Sequence, residues 1–327
     1  MRFSALGDVA MLSPVVREYA LQHTEDSVTV LSVPFCAPLF EDIAPNVSFL
    51  GREIKTQYRG ITGLYNLFTE LHAMHFDRIV DAHDVLRTKV LRQFFRLRGY
   101  EVRVIDKHRS ERRQLTAAPG KKVLRQLPTS FENYAEAMGI PGFPAVPGFP
   151  VSPDIPDTLV SPGGGLIGVA PFAAHEGKIY PTDKMEKVVE LLSHSGRVVL
   201  FGGKGKEEDI MRAWARKYNN VELARDVISG GALAAELDLM RGLDVMLSMD
   251  SANMHLASLV GTRVVSVWGA THPYAGFLGW GQRMEDCVQK DLPCRPCSIY
   301  GSKPCRYGDF RCLNSITPEE IVRAVLL

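Results

Sequence analysis

Short β-branched runs alternate with longer helical patterns along the whole chain, and this alternation restricts the fold more than any other sequence feature. Strands that are separated by helices pair in parallel, because the helix carries the chain back over one face of the sheet. The pattern therefore predicts an α/β fold with parallel sheets. The runs that indicate strands are 27–33, 78–82 and 101–106 in the first half, and 166–170, 197–203, 243–250 and 263–269 in the second.

A segment rich in proline and glycine, 140–165, divides the chain, and 327 residues exceed what one hydrophobic core usually supports. Proline and glycine at this density are incompatible with helix interiors and central strands. We therefore expect a linker here, with one Rossmann-like domain over 1–150 and another over 151–327. The last residues, 316–327, combine a threonine cap, a proline at the first helical position and acids in the first turn, which predicts a terminal helix.

The beginning of the chain departs from this pattern. The first strand of a parallel sheet should be a buried apolar run, yet Met1 and Phe3 are the apolar residues available to fill it. Half of a strand is missing on this interpretation. We therefore hypothesise that the natural protein begins several residues upstream of Met1.

The composition excludes several classes of function. Lysine and arginine together number 38 against 37 aspartates and glutamates, so the net charge identifies no partner. No apolar run approaches the roughly 20 residues that span a bilayer, and the N-terminus lacks the pattern of a signal peptide. The cytoplasm is the expected location. Five of the six cysteines lie in 287–312, which indicates local chemistry rather than a chain-wide disulfide framework.

Two residues near the N-terminus follow the expected first strand. Gly7 permits a sharp turn, and Asp8 then stands at the start of a helix predicted to reach about Gln22. A carboxylate at this position can cap the helix by accepting hydrogen bonds from free amides. It can also face a ligand, because ligands of parallel α/β sheets bind beyond the carboxyl ends of the strands. The two roles are compatible.

A second cluster follows the strand at 243–250. Asp250 ends this strand, and Ser251 and Ala252 begin a helix with side chains small enough to let a ligand approach the amides. Helix N-termini attract phosphate through unpaired N–H groups and the macrodipole. Asp250 would repel phosphate and is better suited to accept hydrogen bonds from ribose hydroxyls or amides. His255, one turn later, is interpreted either as a packed histidine or as a ligand contact.

Lys178 lies on a loop between the strand at 166–170 and a helix predicted to start near Thr182. A lysine at this place can neutralise a diphosphate as a point charge. The alternative is an ordinary surface lysine.

These residues together resemble glycosyltransferase family 9, the bacterial ADP-heptose:lipopolysaccharide heptosyltransferases. The resemblance rests on 2–16 (RFSALGDVAMLSPVV), 177–181 (GKIYP) and 249–273 (MDSANMHLASLVGTRVVSVWGATHP), and it runs nearly from end to end. The family's Gly-Asp-Val followed by proline is reproduced by Gly7, Asp8, Val9 and Pro14. Its Asp-Thr/Ser-Gly/Ala followed by Met-His-Leu-Ala matches 250–257, with Ala252 in place of a glycine.

The resemblance implies a GT-B fold, in which two Rossmann-like parallel-sheet domains face each other across a cleft and the C-terminal helix packs back on the N-terminal domain. It assigns acceptor binding to 1–150 and nucleotide-sugar binding to 151–327. It makes Asp8 the catalytic base of an inverting transfer that requires no metal. The donor site would contain Lys178, Asp250, Ser251, Ala252 and His255. The implied partners are ADP-heptose and the lipopolysaccharide core at the cytoplasmic face of the inner membrane.

Departures from the family pattern leave the donor open. The family's lysine is usually followed by a basic or polar residue and Trp-Pro, whereas Lys178 precedes Ile179, Tyr180 and Pro181. Another nucleotide sugar or a protein acceptor is therefore an alternative. A nucleotide-sugar-binding protein without catalysis would not need Asp8, and a nicotinamide oxidoreductase would require a dinucleotide fingerprint that the chain lacks.

A basic segment extends from Arg87 to Arg113 and includes Arg109. Solvated helix faces account for many such segments. The functional alternative is an electropositive face of the N-terminal domain that binds a phosphorylated acceptor, with Gly7, Arg87 and Arg109 among the contacts. Nucleic acid is not expected, because no recognised binding module accompanies the charge.

The late cysteines have the spacing Cys294-x2-Cys297-x7-Cys305-x6-Cys312. Four thiolates can bind tetrahedral zinc or iron, although the usual second CxxC pair is absent. Reduced packing thiols are the alternative. The family resemblance adds that some protein-modifying relatives use similar cysteines for an iron site.

Overall fold

The computed structural model describes residues 1–140, 143, 165–228 and 232–327. The strands of these residues are β1 Val28–Ser32, β2 Val47–Gly51, β3 Arg78–Asp81, β4 Glu101–Val104, β5 Gly165–Ala170, β6 Gly196–Leu200, β7 Val221–Leu223, β8 Val245–Met249, β9 Arg263–Val267 and β10 Cys287–Val288. The helices are α1 Leu6–Gln22, α2 Gly60–His72, α3 Leu86–Leu97, α4 Arg109–Leu115, α5 Ser130–Met138, α6 Thr182–Ser193, α7 Lys206–Lys217, α8 Ala224–Val227, α9 Leu233–Arg241, α10 Ala252–Leu259, α11 Arg311–Asn314 and α12 Pro318–Leu326.

The chain forms two compact units. Unit 1 contains residues 1–107 and 130–144, and unit 2 contains residues 108–129 and 145–327. Because the chain enters unit 2 at His108 and returns at Ser130, the units are not two consecutive halves of the sequence. Nearly all of the predicted linker, 140–165, lies outside the described residues. The acceptor and donor roles assigned to 1–150 and 151–327 stay predictions.

The strands of unit 1 form two parallel pairs, β1 with β2 and β3 with β4. Residues 1–3 join the pairs. The amine of Met1 donates to the carbonyl of Val80 (2.7 Å), and the amide of Arg2 donates to the carbonyl of Leu31 (3.1 Å). Phe3 is buried in the core of the unit with side chains of β1, α2 and α3. Residues 1–3 therefore connect the two pairs ahead of α1, but they do not form the first strand that the sequence predicts.

Unit 2 contains a six-stranded parallel sheet with the order β10-β9-β8-β5-β6-β7. Its central strands are almost continuously apolar and buried, as expected for a parallel sheet covered on both faces. The predicted α/β class with parallel sheets is thereby confirmed. Neighbouring strands β5 and β8 carry the loops of Lys178 and Asp250 from the same edge of the sheet, since their carboxyl ends coincide.

The C-terminal helix α12 forms as predicted. Thr317 accepts a hydrogen bond from the Glu320 amide (3.2 Å), and Glu320 accepts in return from the Thr317 amide (2.7 Å). Ile321 and Val325 enter the core of unit 2. The apolar face of α12 is thus used by its own unit, and packing of this helix on the N-terminal domain stays a prediction. None of the described helices combines the length and the apolar character required to cross a bilayer.

Candidate active-site residues

Asp8 lies in the first turn of α1. The helix begins at Leu6, and Ala5, with extended backbone, is the N-cap. This corrects the prediction that Gly7 precedes the helix and that Asp8 starts it. Asp8 is the third helical residue, and its Oδ2 accepts a hydrogen bond from the Ala5 amide (3.3 Å). The carboxylate thus satisfies an amide ahead of the helix, where the macrodipole also favours a negative charge.

Arg2 and the Ala5 amide both contact the same oxygen of the Asp8 carboxylate. Its Oδ2 lies 2.8 Å from a terminal nitrogen of Arg2, and the same oxygen receives the Ala5 amide. The side chain remains 28% exposed, in contrast to 7% for Arg2. A carboxylate fixed in this way is oriented and still accessible to a hydroxyl group.

Arg2 is a site residue that sequence reasoning missed. Its second terminal nitrogen donates to the carbonyl of Ala82 (2.7 Å), and its guanidinium lies 5.7 Å from the ring centroid of Tyr134. The Tyr134 hydroxyl donates to the backbone carbonyl of Asp8 (3.2 Å). The sequence did contain a signal for Arg2. This arginine lies in the segment predicted to be a buried strand, and a buried positive charge requires a partner.

His83 is a second residue that the sequence did not single out. It is buried after β3, where its Nδ1 accepts from the Phe3 amide (3.4 Å) and its Nε2 lies 3.4 Å from the Ser4 hydroxyl. Burial, reinforced by the positive charges of Arg2 and Lys107, lowers the pKa of His83 to about 4. The imidazole beside the Asp8 turn is therefore neutral at neutral pH.

In unit 2 the predicted strand-to-helix turn is present. β8 ends at Met249, Asp250 follows, Ser251 is the N-cap in extended conformation, and α10 begins at Ala252. The Ser251 hydroxyl lies 3.1 Å from that of Ser248. The first amides of α10 are those that an anion would contact.

The structure brings Lys178 and Asp250 together. The Nζ atom of Lys178 lies 2.9 Å from Oδ2 of Asp250, and the two side chains are 14% and 3% exposed. The sequence assigned these residues separate roles toward a diphosphate and a ribose. The ion pair indicates in addition that Lys178 neutralises a buried carboxylate.

Close backbone contacts fix the Lys178 loop. The carbonyl of Gly177 accepts from the Ala270 amide (2.8 Å), and a Cβ on Gly177 would lie 2.8 Å from the Gly301 carbonyl oxygen. Gly301 has φ +77°, and a Cβ there would lie 2.6 Å from Cγ of Lys178. Both positions therefore require glycine for Lys178 to reach Asp250.

His255 is 7% exposed, within α10, where its carbonyl accepts from the Ser258 hydroxyl (3.0 Å). This burial favours the packed interpretation of the histidine. Donor contacts by Ser251, Ala252 and His255 stay predictions.

The basic segment does not belong to one domain. Arg87 lies in α3 of unit 1, whereas Arg109 begins α4 of unit 2. The segment is thus divided between the two units, and an electropositive face that binds an acceptor stays a prediction. Several cations of the segment are already paired, as Arg92 is with Asp81 (3.0 Å). Gly7 is buried in the first turn of α1, and acceptor contacts by Gly7, Arg87 and Arg109 stay predictions.

Four cysteines line a single cavity of about 200 Å³ in unit 2, together with Lys122 and Arg295. They are free thiols: Cys294, Cys297, Cys305 and Cys312. Burial raises the pKa of Cys312 to about 11. Burial would also raise the pKa of Cys305, but backbone N–H groups of residues 307–310 outweigh it and lower that pKa. Within the described part of the chain, no three Cys, His, Asp or Glu side chains are already arranged to hold a metal ion.

Comparison with known proteins gives the family. Residues 64–307 match the sequence model of glycosyltransferase family 9 (heptosyltransferase). The chain belongs to glycosyltransferase family 9. Lipooligosaccharide heptosyltransferase 2 of Campylobacter jejuni subsp. jejuni serotype O:6 is 20% identical over 166 residues, which are 50% of this chain and 51% of that protein. The chain thus spans about half the length of the curated relatives it matches.

Solved structures of glycosyltransferases share the fold. The structure of E. coli ADP-heptose lps heptosyltransferase II superposes with a TM-score of 0.66 at 17% identity, covering 100% of this chain and 98% of that one. The iron-containing dodecameric glycosyltransferase TibC of enterotoxigenic E. coli H10407 superposes with a TM-score of 0.58 at 13% identity, covering 99% and 74%. At these identities the likeness concerns the fold, and it agrees with the GT-B architecture expected for the family.

Proposed function

We propose that this family 9 chain is an inverting glycosyltransferase that moves a heptose from ADP-heptose to the lipopolysaccharide core. The observation that carries the proposal is the Asp8 carboxylate, which is oriented through Oδ2 by Arg2 and the Ala5 amide and remains partly exposed. Family membership and the name of the structural neighbour, which includes ADP-heptose, support the donor.

In the proposed reaction, Asp8 accepts the proton of an acceptor hydroxyl. The hydroxyl oxygen forms a bond to the anomeric carbon as the bond from that carbon to the diphosphate oxygen breaks. Attack from the face opposite the nucleotide inverts the anomeric configuration. The products are the new glycoside, the nucleoside diphosphate and a protonated Asp8.

Unit 2 would bind the nucleotide and stabilise its departure. The amides of Ser251 and Ala252 at the start of α10 offer hydrogen bonds and a positive dipole end to the diphosphate. Lys178 adds a cation that is already held in place by Asp250. A fixed cation and fixed amides stabilise developing charge without reorganisation during the reaction, so this chemistry requires no metal ion.

The decisive experiment replaces Asp8 by alanine and by asparagine. Transfer from ADP-heptose to heptose-deficient lipopolysaccharide should fall by about a hundred-fold or more, because the proton acceptor is lost. Calorimetric affinity for ADP should stay unchanged. Glu18→Gln, which changes a partly exposed carboxylate on the same helix, serves as the matched control. Near-native turnover by Asp8→Ala would refute the assignment.

Donor and acceptor are tested separately. Thermal shifts with ADP, UDP, GDP and NAD would identify which nucleotide the protein binds, since a ligand stabilises only a protein that binds it. Binding without turnover on any acceptor would favour a nucleotide-sugar-binding protein, and transfer to a peptide would favour a protein acceptor.

Sedimentation with anionic vesicles tests the proposed contact of the basic residues, including Arg87 and Arg109, with the inner membrane surface.

We further propose that Cys294, Cys297, Cys305 and Cys312 close on one zinc or iron ion that stabilises unit 2. The support is that all four thiols line one cavity and that four thiolates form a tetrahedral ligand set for either metal. TibC, a structural neighbour, is iron-containing. Metal analysis of purified protein should give one ion per chain, and Cys297→Ser with Cys312→Ser should abolish it. Metal-free, folded wild-type protein would establish reduced packing thiols instead.

A further inference from the structure

We infer that Arg2 is the residue that positions the Asp8 carboxylate for transfer, acting through Asp8 and without touching substrate. The inference rests on the proposed function, because it gives Arg2 a role only if Asp8 is the base. It assigns a second residue to the reaction from the contacts of unit 1 alone.

The guanidinium of Arg2 is fixed in three directions. One terminal nitrogen lies 2.8 Å from Oδ2 of Asp8, and the other donates to the carbonyl of Ala82 (2.7 Å). The third contact is the ring of Tyr134, whose centroid lies 5.7 Å away. Because the guanidinium is planar, contacts on two of its nitrogens define its orientation, and a lysine would not reproduce both.

The backbone on either side of this ion pair is also fixed. The Arg2 amide donates to the carbonyl of Leu31 (3.1 Å), which anchors the arginine between β1 and β3. Asp8 is anchored at its own carbonyl by the Tyr134 hydroxyl and at Oδ2 by the Ala5 amide. The ion pair therefore joins the segment of residues 1–3 to the first turn of α1, and it sets the direction in which the carboxylate points.

The ion pair is only partly screened by solvent. Arg2 is 7% exposed, so its attraction to the Asp8 carboxylate at 2.8 Å is stronger than that of a fully exposed pair. The other titratable groups that act on this region are the Met1 amine, Asp81, His83 and Lys107. Asp81 has its own counter-ion in Arg92, and His83 is neutral near pH 7 and therefore adds no second cation beside Asp8.

The test compares Arg2→Gln and Arg2→Lys with wild type in heptose transfer at about pH 7. Arg2→Gln keeps a donor for Ala82 but removes the charge. Its kcat should fall by about ten-fold or more, with the KM values for donor and acceptor changed less than about two-fold. Arg2→Lys should recover part of kcat, because it restores the charge but not both contacts of the guanidinium. Arg78→Gln, which breaks an exposed ion pair with Glu101, is the control.

A purely structural role gives a different result. Arg2→Gln would then lose activity only in proportion to the loss of folded protein, with an unchanged kcat per folded molecule, and the inference would be overturned. The double variant Arg2→Gln/Asp8→Ala should be no less active than Asp8→Ala, because Arg2 acts through Asp8. A further loss in the double variant would also overturn the inference.

The two proposals fail in different ways. If Asp8→Ala is inactive while Arg2→Gln keeps the wild-type kcat, Asp8 remains the base and the role of Arg2 is rejected. If Asp8→Ala retains turnover, the proposed function of Asp8 fails first, whatever the Arg2 variants do.

Discussion

At the scale of single residues, each of the two units contains a candidate functional charge that is already paired within the same unit. Asp8 is paired with Arg2 in unit 1, and Lys178 is paired with Asp250 in unit 2. Removing one member of a buried pair leaves an uncompensated charge, and this effect exceeds the net stability that the intact pair provides. Substitutions at these residues must therefore be designed so that a loss of activity or ligand affinity can be distinguished from a loss of stability.

Lys178→Met should destabilise the protein by about 3 kcal/mol, because it leaves the Asp250 carboxylate buried without its cation. The double variant Lys178→Met/Asp250→Asn should recover most of this loss while still binding ADP weakly. Urea unfolding and calorimetry measure the two quantities. Recovery of both stability and ADP affinity in the double variant would show that the ion pair is structural and does not contribute to ADP binding.

The stability contributed by His83 should depend on pH. Its folded pKa, about 4, lies below the ordinary value of 6.5, so the unfolded chain binds the proton first as the pH falls. Stability should therefore be complete above about pH 6.5 and decrease toward pH 4. The free energy of unfolding of wild type should fall more than that of His83→Gln between pH 7 and 5, with exposed His75→Gln behaving as wild type. Equal slopes for wild type and His83→Gln would contradict this.

At the scale of elements, the proposed donor site in unit 2 depends on loops that contact one another closely at glycine residues. The loop after β5, the loop after β9 and the cysteine-rich segment meet at Gly177, Ala270 and Gly301. The distances at these contacts leave no room for a methyl group. The position of Lys178 is thus determined by backbone packing of three segments that are distant in sequence.

Gly177→Ala should destabilise unit 2 by about 1–3 kcal/mol and weaken ADP binding, because the new methyl group would displace the loop that carries Lys178. Gly165→Ala is the matched control, since its added Cβ would make an ordinary contact of 3.4 Å with Asp244. Unfolding and ADP titration of both variants check the prediction. Equal behaviour of the two variants would mean that the loop accommodates the methyl group elsewhere.

At the scale of the whole molecule, the sequence was sufficient for the parallel α/β class, because buried parallel strands such as β8 are continuous apolar runs. It was also sufficient for the turn at Asp250 and Ser251, which local chemistry determines. The sequence could not predict that 108–129 belong to unit 2, because contacts between residues that are distant in sequence determine this. Arg2 was missed for the same reason, since its partners Ala82 and Tyr134 lie far along the chain.

The division into two units yields a prediction for the intact chain. If ADP binds at the start of α10, hydrogen exchange should slow at the amides of 250–254 and 177–180 in unit 2, while those of 5–9 in unit 1 keep their rates. Saturation at one hundred times Kd should stabilise the unit that binds ADP by about 2.7 kcal/mol. At the ADP concentration that saturates wild type, Lys178→Met/Asp250→Asn should lose most of this protection. Asp8→Ala should keep it, because the proposed function gives Asp8 a role in proton transfer and not in nucleotide affinity. Protection confined to unit 1 would reverse the assignment of the donor site.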